Sequence, residues 1–99
     1  MSALIYTVTA VPEETGGRCR CLGYYHSYEE LLNQINKYGI NGLDEGGLFK
    51  YLVVEKFSSG IYAYSVGAET WFVANHETNF WDGTDKPEKF KGIINFGMG

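Results

Sequence analysis

Only two of the 99 residues are cysteine and two are proline, only eight are basic, and no apolar run is long enough to span a membrane as a helix. Each shortage excludes something. Cys19 and Cys21 lie two apart in a segment that reads as extended, where their sulfurs do not readily reach disulfide geometry. Reduced thiols, and a compartment that keeps them reduced, are therefore expected. Twelve acidic residues against eight basic ones leave a net charge of −4, the wrong sign for neutralising phosphates, so nucleic-acid binding is disfavoured. The charge is also too modest for a mimic of DNA. Met1 to Tyr6 (MSALIY) has neither a basic stretch nor a long apolar core of the kind that directs export, so the cytoplasm is the expected location, with no membrane association. No internal repeat and no low-complexity tract is present.

What remains is a globular composition, 44% hydrophobic and 20% charged, in a chain with room for one hydrophobic core and hence one domain over residues 1–99. Leu4 to Val11 (LIYTVTAV) is rich in β-branched and aromatic residues and reads as a strand, ended by Pro12 and the turn Glu13 to Gly17. A second strand from Arg18 should complete a hairpin. Strict alternation would place Cys19, Cys21, Gly23 and Tyr25 on one of its faces and Arg18, Arg20, Leu22 and Tyr24 on the other.

Ser27-Tyr28-Glu29-Glu30 has the form of a capping box, so a helix starts there. Tyr28, Leu31, Leu32, Ile35 and Tyr38 recur at helical spacing, and Gly39 is placed to end the helix. Ile40 to Gly47, with Asn41-Gly42 and Gly46-Gly47, reads as a loop. Phe49 to Phe57 is apolar at both parities in its middle, the pattern of a strand covered on both faces. Ile61 to Val66 and Thr70 to Ala74 read as two further strands of a meander. Phe80 to Gly83 reads as a turn with an aromatic anchor, Asp85 to Glu88 as the start of a helical turn, and Ile93 to Phe96 as an edge strand. The expected fold is α+β, a mainly antiparallel sheet of about five strands with one principal helix packed on one face.

Four chemical readings bear on function. Cys19, Cys21, His26 and His76 would supply four zinc ligands, but structural zinc sites pair their ligands across a short turn, whereas these cysteines lie in a strand and His76 is isolated. No metal and no cofactor is expected. A cysteine nucleophile, its thiol acidified by Arg18 or Arg20 and served by His26 or His76, is a third-ranked functional reading. The acidic pairs Glu13-Glu14, Glu29-Glu30 and Asp44-Glu45 have ordinary roles in turns and at a helix N-terminus, and the glycines match no phosphate loop. No catalytic constellation emerges.

Aromatic residues are the surplus. Eight Tyr, six Phe and two Trp make up 16% of the chain, more than so small a core buries completely. Tyr24, Tyr62, Tyr64, Trp71, Phe80 and Trp81, with Arg18 and Arg20, are the candidate binding residues, because exposed Tyr, Trp and Arg dominate protein-interface hot spots and stack on nucleobases. The plainer alternative is that most of them cover the sheet or form an oligomer interface.

From Arg18 onward the order of local signatures resembles a family of small uncharacterised proteins encoded by phages, prophages and other bacterial genomes. The signatures are Arg20-Cys21-Leu22-Gly23-Tyr24, Ser27-Tyr28-Glu29-Glu30, Tyr51-Leu52-Val53-Val54-Glu55, Gly60-Ile61-Tyr62, Trp71-Phe72 and Asn95-Phe96-Gly97-Met98-Gly99. The resemblance implies no activity and no catalytic residues. By analogy of origin it implies a non-enzymatic binding protein, such as an inhibitor of a bacterial defence system (anti-CRISPR-like), acting on a host protein. The alternative is a small-ligand protein that holds a nucleotide-like molecule through Arg18 or Arg20 and an aromatic ring. A symmetric homo-oligomer through an uncovered sheet edge is a further expectation.

Overall fold

The computed structural model describes residues 4–14, 17–43, 47–58, 69–93 and 96. Among them the chain forms β1 (Leu4–Val11), β2 (Arg20–Tyr25), α1 (Tyr28–Leu43), β3 (Tyr51–Ser58), β4 (Thr70–Asn75) and β5 (Phe80–Thr84), followed by a 3-10 turn at Glu88–Phe90. The strands make one sheet in the order β2-β1-β3-β4-β5 with every neighbouring pair antiparallel. α1 packs on one face, so the α+β architecture is the expected one. The expected strand over Ile61 to Val66 lies outside the described residues. No helix among them is long and apolar enough to cross a membrane.

The reason for the apolar middles of β1 and β3 is burial from both sides. On the helix side, Val8 and Ala10 of β1 and Leu52 and Val54 of β3 meet Leu31, Ile35 and Ile40 of α1, with Phe49 and Trp81. On the second face, Val11, Val53 and Trp71 are covered by Phe90 and Phe96 from the C-terminal segment. Trp71 stacks on Phe90 with ring centres 5.5 Å apart and meets Phe96 edge-on at 5.3 Å. Glu69 ties this layer down: one of its carboxylate oxygens accepts from Trp71 Nε1 at 3.0 Å and pairs with Lys86 Nζ at 2.9 Å. Lys86 in turn donates to the Ile93 carbonyl at 2.7 Å.

Four local expectations need correction. The helix begins as read, with the Ser27 hydroxyl accepting from the Glu30 amide at 3.3 Å, and it breaks at Gly39 (φ 63, ψ −164). The chain then turns helical again through Leu43, so Ile40 to Gly47 is not all loop, because buried Ile40 draws this last turn onto the core. Phe80 to Gly83 is strand rather than turn. The turn falls earlier, at 76–79, where Asn75 Oδ1 accepts from the Glu77 amide at 3.1 Å and Asn79 takes a positive φ of 64°. Trp81 then pairs with Ala74 and buries its ring against the helix.

The third correction concerns β2. A register shift between Val8 and Thr9 sets Gly23 opposite Val8 and Cys21 opposite Thr9, leaving Leu22 as the extra residue of a bulge. Strict alternation is lost there. Leu22 and Tyr25 share the helix side, while Cys21 and Tyr24, opposite Thr9 and Thr7, share the other. Finally, the edge strand expected over Ile93 to Phe96 falls partly outside the described residues, and neither Ile93 nor Phe96 lies in a strand.

The break at Gly39 is clasped to the β4–β5 turn. Trp81 Nε1 donates to the Gly39 carbonyl at 3.0 Å, and the Ile40 amide donates to the Asn79 carbonyl at 3.2 Å. A Cβ at Gly39 would stand 3.0 Å from that Asn79 oxygen, and its backbone angles belong to a region open essentially to glycine alone. Gly39→Ala is therefore expected to lower stability by about 1–3 kcal/mol, read as a lower midpoint in urea unfolding. An unchanged midpoint would mean that the break is not part of the folded state.

Candidate functional site

The candidate binding residues are not gathered in one place. Trp71 and Trp81 are 2% and 5% exposed and belong to the cores on opposite faces of the sheet. Phe80 is half-exposed at the start of β5, whereas Tyr24 stands 64% exposed on β2. Arg18 and Arg20 are exposed at the start of β2. Tyr62 and Tyr64 lie outside the described residues.

Singly exposed apolar side chains are ordinary on a soluble surface, so Leu4, Leu48 and Ile93 carry no functional argument. A different feature lies between α1 and β2. There a cleft of about 300 Å³ opens on the helix side, lined by Val8, Leu22, Tyr25, Leu31, Gln34, Ile35, Tyr38, Gly42 and Leu43. Among the described residues its lining contains no charged side chain. Leu31, Gln34, Ile35 and Tyr38 recur at helical spacing and form one wall. The β2 bulge delivers Leu22, the last turn of α1 delivers Leu43, and Tyr38, about half-exposed, marks the rim.

The cleft adjoins an outer edge of the sheet. Among the described residues β2 is the outermost strand and pairs with β1 alone. Every second residue of such an edge turns its backbone N–H and C=O outward, as a template for one more strand. Charge is graded along this edge: Arg18 and Arg20 stand at its start, and Glu29 and Glu30 follow its end at the N-terminus of α1. Arg20, paired with Ala10, shares the helix side with the cleft.

Two other hollows lie on the helix side. One, of about 280 Å³, is lined by Tyr6, Tyr28, Val54, Lys56 and Thr70. The other, of about 330 Å³, runs between Leu48 and His76 and includes the Lys50–Glu13 ion pair at 3.0 Å. Neither adjoins β2.

The second face has a polar corner that the sequence analysis did not single out. Glu55, 1% exposed, sits opposite Thr7, and one of its carboxylate oxygens accepts from the Phe96 amide at 3.1 Å. The Thr7 and Thr9 hydroxyls are buried and have no hydrogen-bond partner among the described residues. A glutamate at the covered parity of an otherwise apolar strand is the signal that could have found this corner. Burial, and secondarily the Glu55 charge, push the Cys19 thiol above its ordinary pKa. This opposes the acidification that a cysteine nucleophile requires. His26 stacks edge-on against Tyr24 with ring centres 6.1 Å apart, and His76 lies on the β4–β5 turn, so the two histidines belong to separate parts of the surface. Among the described residues no three His, Cys, Asp or Glu side chains cluster to hold a metal ion.

No protein-family model, no curated protein and no solved structure matches this chain.

In a Cys21→Ser background, the midpoint of Cys19 alkylation by iodoacetamide is expected at higher pH in the folded chain than in the same chain in urea. A folded midpoint below the unfolded one would reveal an activated thiol and restore the nucleophile reading.

Proposed function

We propose that this chain is a small non-enzymatic binding protein that acts through protein–protein contacts, and that its contact surface centres on the β2 edge. The observation that carries this reading is the uncharged cleft lying directly against an outer strand that, among the described residues, pairs with β1 alone. Backbone groups along the edge supply affinity and an adjoining apolar hollow supplies selectivity, which is how added strands are recognised. Exposed Tyr24 on one side of the edge and Tyr38 on the other are rigid amphipathic rings of the kind that anchor interfaces. Among the described residues the lining has no cation to fix a phosphate, which favours a protein partner over a nucleotide-like ligand.

The resemblance described above narrows the reading to a phage- or prophage-encoded inhibitor of a bacterial defence system, which would work by occupying a surface of a host protein. Such a role asks for a compact domain with one good surface and no turnover chemistry.

The test is site-specific photocrosslinking in the native host, with the crosslinking residue placed in turn at Tyr24, Tyr38 and Phe80, and at Glu14 as a control. A discrete adduct from at least one aromatic position, absent from Glu14, is expected. Absence of any discrete adduct from all three would refute the binding reading.

A further inference from the structure

We propose, resting on that reading, that the α1–β2 cleft receives an extended segment of the partner as a sixth strand, antiparallel to β2, with an apolar side chain in the cleft and a carboxylate beside Arg18. Each part follows from geometry. The sheet is antiparallel throughout, and antiparallel pairing is the slightly stronger kind. β2 runs from Arg20 to Tyr25, so an antiparallel segment places its C-terminal end beside Arg18 and Arg20 and its N-terminal end beside Glu29 and Glu30. Charge along the edge thus selects both the direction and the chemistry of the segment: acidic toward its C-terminal side, basic toward its N-terminal side. Arg20 already has an interaction of its own, so its part is the local positive field, and Arg18 is the direct contact.

The hollow sets the apolar requirement. Leu22, Tyr25, Leu31, Ile35 and Leu43 leave about 300 Å³ open, room for one aliphatic or aromatic side chain projecting from the added strand toward the helix. A second copy of the chain is the poorer occupant. A second copy would satisfy the charge rule, since antiparallel self-pairing sets Arg18 and Arg20 of each copy toward Glu29 and Glu30 of the other, but the bulge at Leu22 interrupts the straight edge that two β2 strands would need for continuous pairing. A short peptide needs only the regular stretch Gly23–Tyr25 and the cleft beside it.

The carboxylate has two sources, a chain terminus or an Asp/Glu side chain, and one experiment separates them. Two arrays of the same random octapeptides are probed with the full-length chain, one array tethered through the peptide N-terminus with a free C-terminal acid, the other tethered through the C-terminus as an amide. Selected peptides are expected to combine an apolar residue with a carboxylate on its C-terminal side. Binding confined to the free-acid array assigns a chain terminus, and binding on both arrays assigns Asp or Glu. Amide shifts in the ¹⁵N-labelled chain should concentrate in Gly23–Tyr25 and Leu31–Tyr38. Arg18→Glu should weaken binding at least tenfold and Tyr38→Ala several-fold, while Glu77→Ala, on the exposed β4–β5 turn, should leave it unchanged. Both groups are exposed, so unaltered thermal unfolding of these variants separates lost contact from lost fold.

The inference is overturned by the absence of selected peptides, by binding indifferent to Arg18→Glu, by shifts that map away from β2, or by a stable dimer in sedimentation whose β2 amides are protected. If peptides map elsewhere, or crosslinks arise from Phe80 alone, the sixth-strand proposal fails while the binding reading stands. If no exposed aromatic position crosslinks, both fail.

Discussion

The clasp between Gly39 and the β4–β5 turn is the constraint on which the helix layer depends. A helix laid on a twisted sheet is free to slide along its apolar stripe until something other than apolar contact fixes it. Here the fixing is polar and buried. The indole N–H of Trp81 holds the Gly39 carbonyl, and the Asn79 carbonyl holds the Ile40 amide, so both bonds made at the helix break belong to the β4–β5 hairpin. Removing either partner would leave a buried backbone group unsatisfied, a cost of about 1–3 kcal/mol that no sliding of the helix recovers. With its far end held at β5 and Tyr28 against Tyr6 of β1, the helix crosses the sheet, and its last turn folds back toward Leu22. The cleft is the wedge left between that crossing and the outer strand.

The second face obeys a different logic. Trp71, Phe90 and Phe96 seal the sheet where its residues are apolar, and Glu69 serves the indole of Trp71 and the ammonium of Lys86 with one oxygen. Toward β2 the apolar surface runs out, and Thr7, Thr9 and Glu55 are buried instead. Two buried hydroxyls without partners among the described residues are a cost at that corner, and the Phe96 amide donates to the Glu55 carboxylate. Partial desolvation, and then the Glu55 charge, push the Cys19 thiol above its ordinary pKa. The two faces therefore differ in kind: one combines an apolar cleft with an outer edge, the other has a tail closed over polar groups.

Much of this fold was legible because particular residues admit few alternatives. Ser27 and Glu30 mark a helix start by hydrogen bonding that no other local structure uses as well, and Gly39 marks its break because only glycine sits easily at those angles. The unbroken apolar middle of β3 announces a strand buried on both faces, and β3 lies at the centre of the sheet. What was misread depends on tertiary partners. Asp82-Gly83 is a good turn signal in isolation, yet Trp81 gains more by pairing with Ala74 and burying its ring under the helix than a turn at that point would return. Asn41-Gly42 likewise suggests a loop until Ile40 finds the core on one side and Leu43 on the other.

The cleft was less legible than the fold because it is made by a defect. The candidate residues were chosen by type, as exposed aromatics and arginines, and two of them, Trp71 and Trp81, turned out to be the anchors of the two cores. Of the cleft's own lining, Leu22 and Tyr25 fall on opposite faces under strict alternation; only the bulge unites them. Gly23 inside a strand was the available signal, since an interior glycine, here at φ 155°, often marks such an irregularity. The bulge serves two ends at once. It disrupts the outer edge enough to oppose indiscriminate strand pairing, and the same extra residue turns Leu22 inward to build the hollow that makes selective pairing with one short segment physically reasonable.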